Sequence, residues 1–160
     1  MNIHRFPNIR QMDLMDCGPT CLKMIAKYFG KYYSLQFLRE KCNLTNDGVS
    51  LLDISHAAEQ IGLYTISIKC NPAELHRKVP LPVILHWDNC HFVVLYKTKI
   101  KKRILSDGKS IDYGNQYYIS DPSRGYTTYN EKEFTSKWLK DRENRGVLMA
   151  FQPQTYSPSI

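Results

Sequence analysis

Two hydrophobic periods divide this chain near residue 63. Before it, apolar residues recur at helical spacing. Leu22, Ile25, Ala26 and Phe29 share one face, with Asp16 placed to cap, Pro19 suited to a first turn and Gly30 to a helix end. This pattern predicts a helix over 18–29. A second is predicted over 35–41, after Ser34, with Leu35, Leu38 and Cys42 on one side. A third is predicted over 51–61, capped by Ser50 and ended by Gly62. From Leu63 the period becomes two: Tyr64, Ile66 and Ile68 alternate with Thr65, Ser67 and Lys69. Further strands are predicted near 82–87, 91–96, 102–105, 117–120 and 146–152, with short helices over 72–78 and 131–138. Asp107-Gly108 and Tyr113-Gly114-Asn115 mark turns.

Helices first and an antiparallel sheet after is an α+β layout, with the first helix packed on the sheet. At 160 residues, 42% of them hydrophobic, the chain suits one globular domain with a single core. Residues 1–152 are expected to form that domain, and 153–160 a tail or linker. No internal repeat or low-complexity tract interrupts it.

The N-terminus has no apolar stretch of signal-peptide type, so a reduced, cytosolic setting is the natural reading of five cysteines. The longest apolar clusters, 81–87 and 92–96, are of strand length, short of the ~18 to 20 residues that span a bilayer. The net charge of +7 invites a nucleic-acid partner. Yet the one dense basic cluster, Lys97 to Arg103, falls in a strand and turn with no nucleic-acid motif. It reads first as a sheet edge guarded by lysines. A face toward anionic lipid is the other alternative.

The chemistry concentrates at Gln11-Met-Asp-Leu-Met-Asp-Cys17-Gly-Pro-Thr-Cys21. A thiol at a helix N-terminus meets the positive end of the macrodipole, which favours thiolate and so nucleophilic chemistry. Gln11, six residues upstream, could donate an amide hydrogen bond to an oxyanion. A base is then needed. Of five histidines, His4 lies in the lead-in, and His56 and His76 read as surface residues of helices. His86 and His91 flank a tight turn, and His91 opens the apolar strand Phe92-Val-Val-Leu95. Spacing alone leaves His91 evenly divided between a base and a solvated strand end. Asp121, between a strand and Pro122, could accept the imidazole Nδ1 proton, or could be a turn aspartate. Asp16, beside Cys17, could cap the helix while its charge opposes the thiolate. Cys17, Cys21 and Cys90 with His91 also raise a metal site, against which no second ligand pair has zinc-like spacing. Cys21, Cys42 and Cys70 read as small buried hydrophobes.

Five segments in order carry a resemblance: Gln11-x5-Cys17-Gly-Pro-Thr-Cys21, Asp47-Gly-Val-Ser50, Leu81-Pro-Val-Ile-Leu-His86-Trp, His91-Phe-Val-Val-Leu and Asp121-Pro-x-x-Gly125. Together they resemble the bacteriocin-processing cysteine peptidases, the N-terminal peptidase domains of ABC exporters for double-glycine leader peptides. The match runs from about Arg10 to Trp138. The resemblance implies a papain-like fold, with Cys17 as nucleophile, His91 as general base, Asp121 as its orienting residue and Gln11 as oxyanion donor. No cofactor and no metal is expected. It implies a peptide substrate with an amphipathic helical leader, cut after Gly-Gly or Gly-Ala. It also implies transmembrane and ATPase domains as partners, and a cytoplasmic domain of a bacterial cell-membrane protein from which this chain would be excised. Residues 97–116 depart from the pattern as an extended, charged hairpin. Apolar positions on the helix after Ser50 and over 126–129 are candidates for a leader groove. The rival readings are a non-catalytic leader-docking module and another papain-like acyl-transfer enzyme.

Overall fold

The computed structural model describes residues 5–154, apart from Asn89 and Tyr113. Three helices come first: α1 (Cys17–Tyr28), α2 (Leu35–Lys41) and α3 (Leu51–Gln60). Strand β1 (Leu63–Cys70), helix α4 (Pro72–Lys78), and strands β2 (Val83–Trp87), β3 (His91–Lys99), β4 (Lys102–Ile104), β5 (Ser110–Asp112), β6 (Gln116–Asp121) and β7 (Gly125–Asn130) follow. Helix α5 (Glu131–Trp138) and strand β8 (Gly146–Pro153) close the order. His4 and residues 155–160, most of the expected tail, lie outside the described residues.

The caps explain most helix starts. Ser50, Asn71 and Asn130 each accept from the backbone three residues on, and Asp53, Glu74 and Glu133 return the bond to close capping boxes. Ser34 caps α2 through Phe37. Gly30 and Gly62 follow α1 and α3 with positive φ, as helix-stop residues do.

Six strands form one antiparallel sheet in the order β1-β8-β2-β3-β6-β7, while β4 and β5 make a separate two-stranded hairpin. The central strands are apolar on both faces and supply two cores, where composition suggested one. Ile84, Phe92, Val94 and Met149 point into a core with Cys21, Leu22 and Ile25 of α1 and Ile54 of α3. Their neighbours Val83, Leu85, Val93, Leu95 and Leu148 point the other way, to Phe134 and Trp138 of α5. Period-two alternation in a doubly covered sheet thus splits one hydrophobic run between two layers.

Strand β7 was not expected. Its only buried residues are Gly125 and Tyr129, so its sequence carries no apolar alternation, and pairing with β6 holds it in the sheet. Strand β5 was likewise unexpected, since Ser110-Ile-Asp112 carries a single apolar residue. Residues 97–116 do form a charged extension. The end of β3 and the small hairpin carry it, and Lys97 and Lys99 lie over the Tyr118 ring.

Candidate active site

Helix α1 packs against the sheet with its first turn buried, and Cys17 is its first residue. The thiol is 7% exposed. The loop before it, 11–15, projects outward with Met12 and Leu14 largely exposed. Gly18 permits the approach of α1 to the segment before α3: a Cβ there would stand 2.3 Å from Val49 Cγ2. Gly48, at φ +85°, turns that segment so that Val49 faces the helix end. The Cys-Gly and Gly-Val-Ser motifs are therefore two sides of one contact.

Strands β2 and β3 form the hairpin that presents His91. Trp87 pairs with His91 across it, and β3 pairs with β6, Val94 opposite Ser120. This register carries His91 to the turn that follows Asp121. His91 Nε2 lies 2.9 Å from Asp121 Oδ1. The expected partner nitrogen is corrected here: Asp121 engages Nε2, so Nδ1 is the nitrogen left for Cys17.

Asp121 is 2% exposed and its Oδ1 also accepts from Ser123 N–H at 2.8 Å and Ser123 Oγ at 2.9 Å. Burial pushes its carboxyl up. The His91 hydrogen bond and the Ser123 bonds outweigh that effect and hold it below its ordinary value. Burial pulls the His91 imidazole down, but hydrogen bonding and charge from Asp121 and Cys17 together raise it to about 9. At neutral pH the imidazole is therefore a cation between Asp121 and Cys17.

Cys17 and His91 line one cavity of about 590 Å³, with Leu14, Met15, Val49 and Leu51 among its apolar walls. Cys90 and His86 line the same cavity. His86 is half-buried, and burial and then Lys140 lower it below its ordinary value, so it is neutral at pH 7. Gln11 is placed differently from Cys17. Its Nε2 donates to Asp13 O at 3.0 Å, and it lines a neighbouring shallow cavity with Met12, Asp13 and Leu14. Leu14 is common to both cavities.

The peptidase C39 family model matches residues 5–113. The chain is 37% identical over 131 residues to the colicin V secretion/processing ATP-binding protein of Escherichia coli, covering 82% of this chain and 17% of that protein. It is 32% identical over 158 residues to the lactococcin-G-processing and transport ATP-binding protein of Lactococcus lactis, covering 95% and 20%. The chain belongs to the peptidase C39 family. It thus spans about a fifth of the length of these curated relatives.

Two solved structures share the fold of this C39 chain. One is a double glycine motif protease from an AMS/PCAT transporter in complex with the leader peptide. It has a TM-score of 0.78 at 29% identity, with 94% of this chain and 93% of that one covered. The other is the peptidase domain of Streptococcus ComA, a bi-functional ABC transporter, with a TM-score of 0.75 at 28% identity, covering 94% and 100%. Membership supports a cysteine peptidase, and the papain-like α+β expectation holds. No described helix is long and apolar enough to cross a membrane.

The remaining polar residues fall into place around this C39 site. Ser123 was missed, although an aspartate two residues before a serine in Asp-Pro-Ser is a local turn signal. The turn and the site coincide: the carboxylate that closes the turn also holds His91. His76 is not a free surface residue; it is half-buried and bonds Tyr117 Oη at 2.7 Å in a cluster with Glu131. His56 is exposed. Cys21 is fully buried and donates to Phe92 O at 3.3 Å, with burial first and then Cys17 pushing its thiol well up. Burial likewise raises Cys42 to about 12 and Cys70 to about 11. All three are inert hydrophobes, and Cys90 is exposed. Among the described residues, no three His, Cys, Asp or Glu side chains form a group that could hold a metal.

Proposed function

We propose that this chain is a cysteine endopeptidase that removes leader peptides after a Gly-Gly or Gly-Ala pair, as the processing domain of an ABC exporter. The observation that carries the reading is His91, bonded to Asp121 through one nitrogen and in reach of Cys17 through the other, at the wall of an apolar cleft. The relatives, secretion and processing proteins and a leader-bound double glycine protease, point the same way.

The reaction is acyl transfer to sulfur. Cys17 Sγ attacks the carbonyl carbon of the second small residue, and the carbonyl π-electrons move to oxygen. The backbone N–H of Cys17, at the helix end, and the Gln11 amide hold that oxyanion. Gln11 must turn its Nε2–H from Asp13 to do so. As the C–N bond breaks, His91 gives its proton to the departing amine. It then takes a proton from the water that cleaves the thioester, which returns the thiol. Asp121 keeps the ring oriented throughout and offsets its charge. Glycine at the scissile pair has no side chain to keep its backbone from the Cys17 thiol.

The apolar walls from Leu14, Met15, Val49 and Leu51, with exposed Leu52 beyond them, suit the apolar face of a helical leader. The partners in this reading are that leader and the transmembrane and ATPase portions of an exporter, with the domain on the cytoplasmic side of a bacterial cell membrane. Cys17→Ala tests the reading: cleavage should vanish while the leader still binds within a few fold. Cleavage at the original rate would remove Cys17 from the mechanism.

A further inference from the structure

The residue before the nucleophile does not behave as its position suggests. Asp16 occupies the N-cap of α1, is 0% exposed, and makes no side-chain capping bond. Neither carboxylate oxygen is hydrogen-bonded to a described residue. Instead Oδ1 lies 3.1 Å from Nε of Arg39, on the outer part of α2. The backbone of Asp16 is conventional: its N–H donates to Asp13 O, and its C=O accepts the first helical bond from Thr20 N–H.

A buried carboxylate with no hydrogen bond needs a neighbouring cation. At a helix N-cap it would ordinarily turn inward and accept from the first-turn N–H groups. Here that would cover the N–H groups that face Cys17 chemistry, and would place a negative charge against the positive end of the helix. Pro19 already removes one first-turn donor by having no N–H. What remains is the N–H of Cys17 and of Gly18.

We infer that Arg39 is a positioning residue for the reaction: it draws the Asp16 carboxylate off the end of α1 and neutralises it, leaving the helix end to the Cys17 thiolate and the oxyanion. The inference rests on Cys17 being the nucleophile. Asp16 is the buried anchor by which α2 fixes the start of α1, and Arg39 keeps that anchor electrically silent beside the thiol. Loss of Arg39 alone leaves an uncompensated charge one residue from the sulfur. Loss of both charges does not.

The test is the rate of iodoacetamide alkylation of Cys17, followed by peptide mass mapping so that exposed Cys90 is counted separately, alongside kcat and KM on a Gly-Gly leader peptide. Arg39→Gln should slow Cys17 alkylation and lower kcat about tenfold or more, with KM little changed. Arg39→Lys should fall between it and the native chain. The double variant Asp16→Asn with Arg39→Gln should return alkylation to within threefold of native. A role in packing alone would leave the double variant no better than Arg39→Gln, and that result overturns the inference. So does native-like alkylation in Arg39→Gln. If Arg39→Gln does not fold, Asp16→Asn decides alone: alkylation at or above the native rate supports the inference, and slower alkylation overturns it. A native Cys17 that reacts no faster than Cys90 and a leader peptide left intact would instead remove the peptidase reading itself.

Discussion

Gly18 and Val49 meet so closely that a Cβ on Gly18 would stand 2.3 Å from Val49 Cγ2. The helix that begins at Cys17 and the segment before α3 are thereby set in fixed relation. Valine is stiff at χ1 and cannot swing aside. Gly18→Ala gains about 1 kcal/mol of helix propensity but forces overpacking that costs about 1–3 kcal/mol. The expected result is a lower unfolding temperature and a lower kcat/KM. Adding Val49→Ala should recover part of both. A stabilised Gly18→Ala with full activity would show that the contact does not shape the site.

Asp121 holds His91 by a hydrogen bond and by charge, and the two can be separated. Asparagine keeps an acceptor for Nε2–H, whereas alanine removes it. Asp121→Ala should lower kcat by roughly 100-fold or more, in the range of lost acid–base assistance. Asp121→Asn should lose less, and its activity should fall off at lower pH on the alkaline side, because the charge that raises His91 is gone. Equal losses in the two variants would mean that orientation plays no part.

The same pair gives stability a pH dependence. His91 is raised from an ordinary 6.5 to about 9 in the folded chain, so its contribution is complete below 6.5 and is lost as pH rises through about 9. Asp121 is lowered from 3.8, so its contribution is present above 3.8 and is lost only as pH falls through the lower folded value. Unfolding temperatures of the native chain and Asp121→Ala should therefore differ most between about pH 4 and 6.5. The gap should shrink by pH 10. A gap that is constant across this range would contradict the ion pair.

Much of this site is legible in the sequence, and the reason differs by residue. The caps at Ser50 and Asn71, the alternation of β1 and the stops at Gly30 and Gly62 are local, so pattern finds them. His91 and Asp121 are joined by sheet register, and Cys17 is brought to them by the packing of α1 on that sheet; no spacing along the chain encodes either, and the ordered motifs are what bring them together beforehand. The identity of the bonded nitrogen could not be read, because it depends on which side of the imidazole faces β6. Strand β7 escaped because tertiary pairing, not its own apolar pattern, makes it a strand. The Asp16–Arg39 pair escaped for a different reason: a local rule, the aspartate cap, points elsewhere, and a contact with α2 overrides it.

Gln11 donates to Asp13 O in this structure. If it serves the oxyanion, Gln11→Ala should lower kcat roughly 100-fold or more, as other oxyanion donors do, and leave KM within a few fold. A change in KM alone would make Gln11 a residue of the loop and not of the reaction.

The most direct measurement is mass spectrometry of this chain mixed with a helical leader peptide ending in Gly-Gly plus a short cargo, quenched in acid at early times. The expected result is cargo released immediately after the second glycine, together with a thioester of the leader on the Cys17 peptide, both absent in Cys17→Ala. Cleavage elsewhere, or release that persists in Cys17→Ala, would contradict the assignment of Cys17, His91 and Asp121 as a leader peptidase.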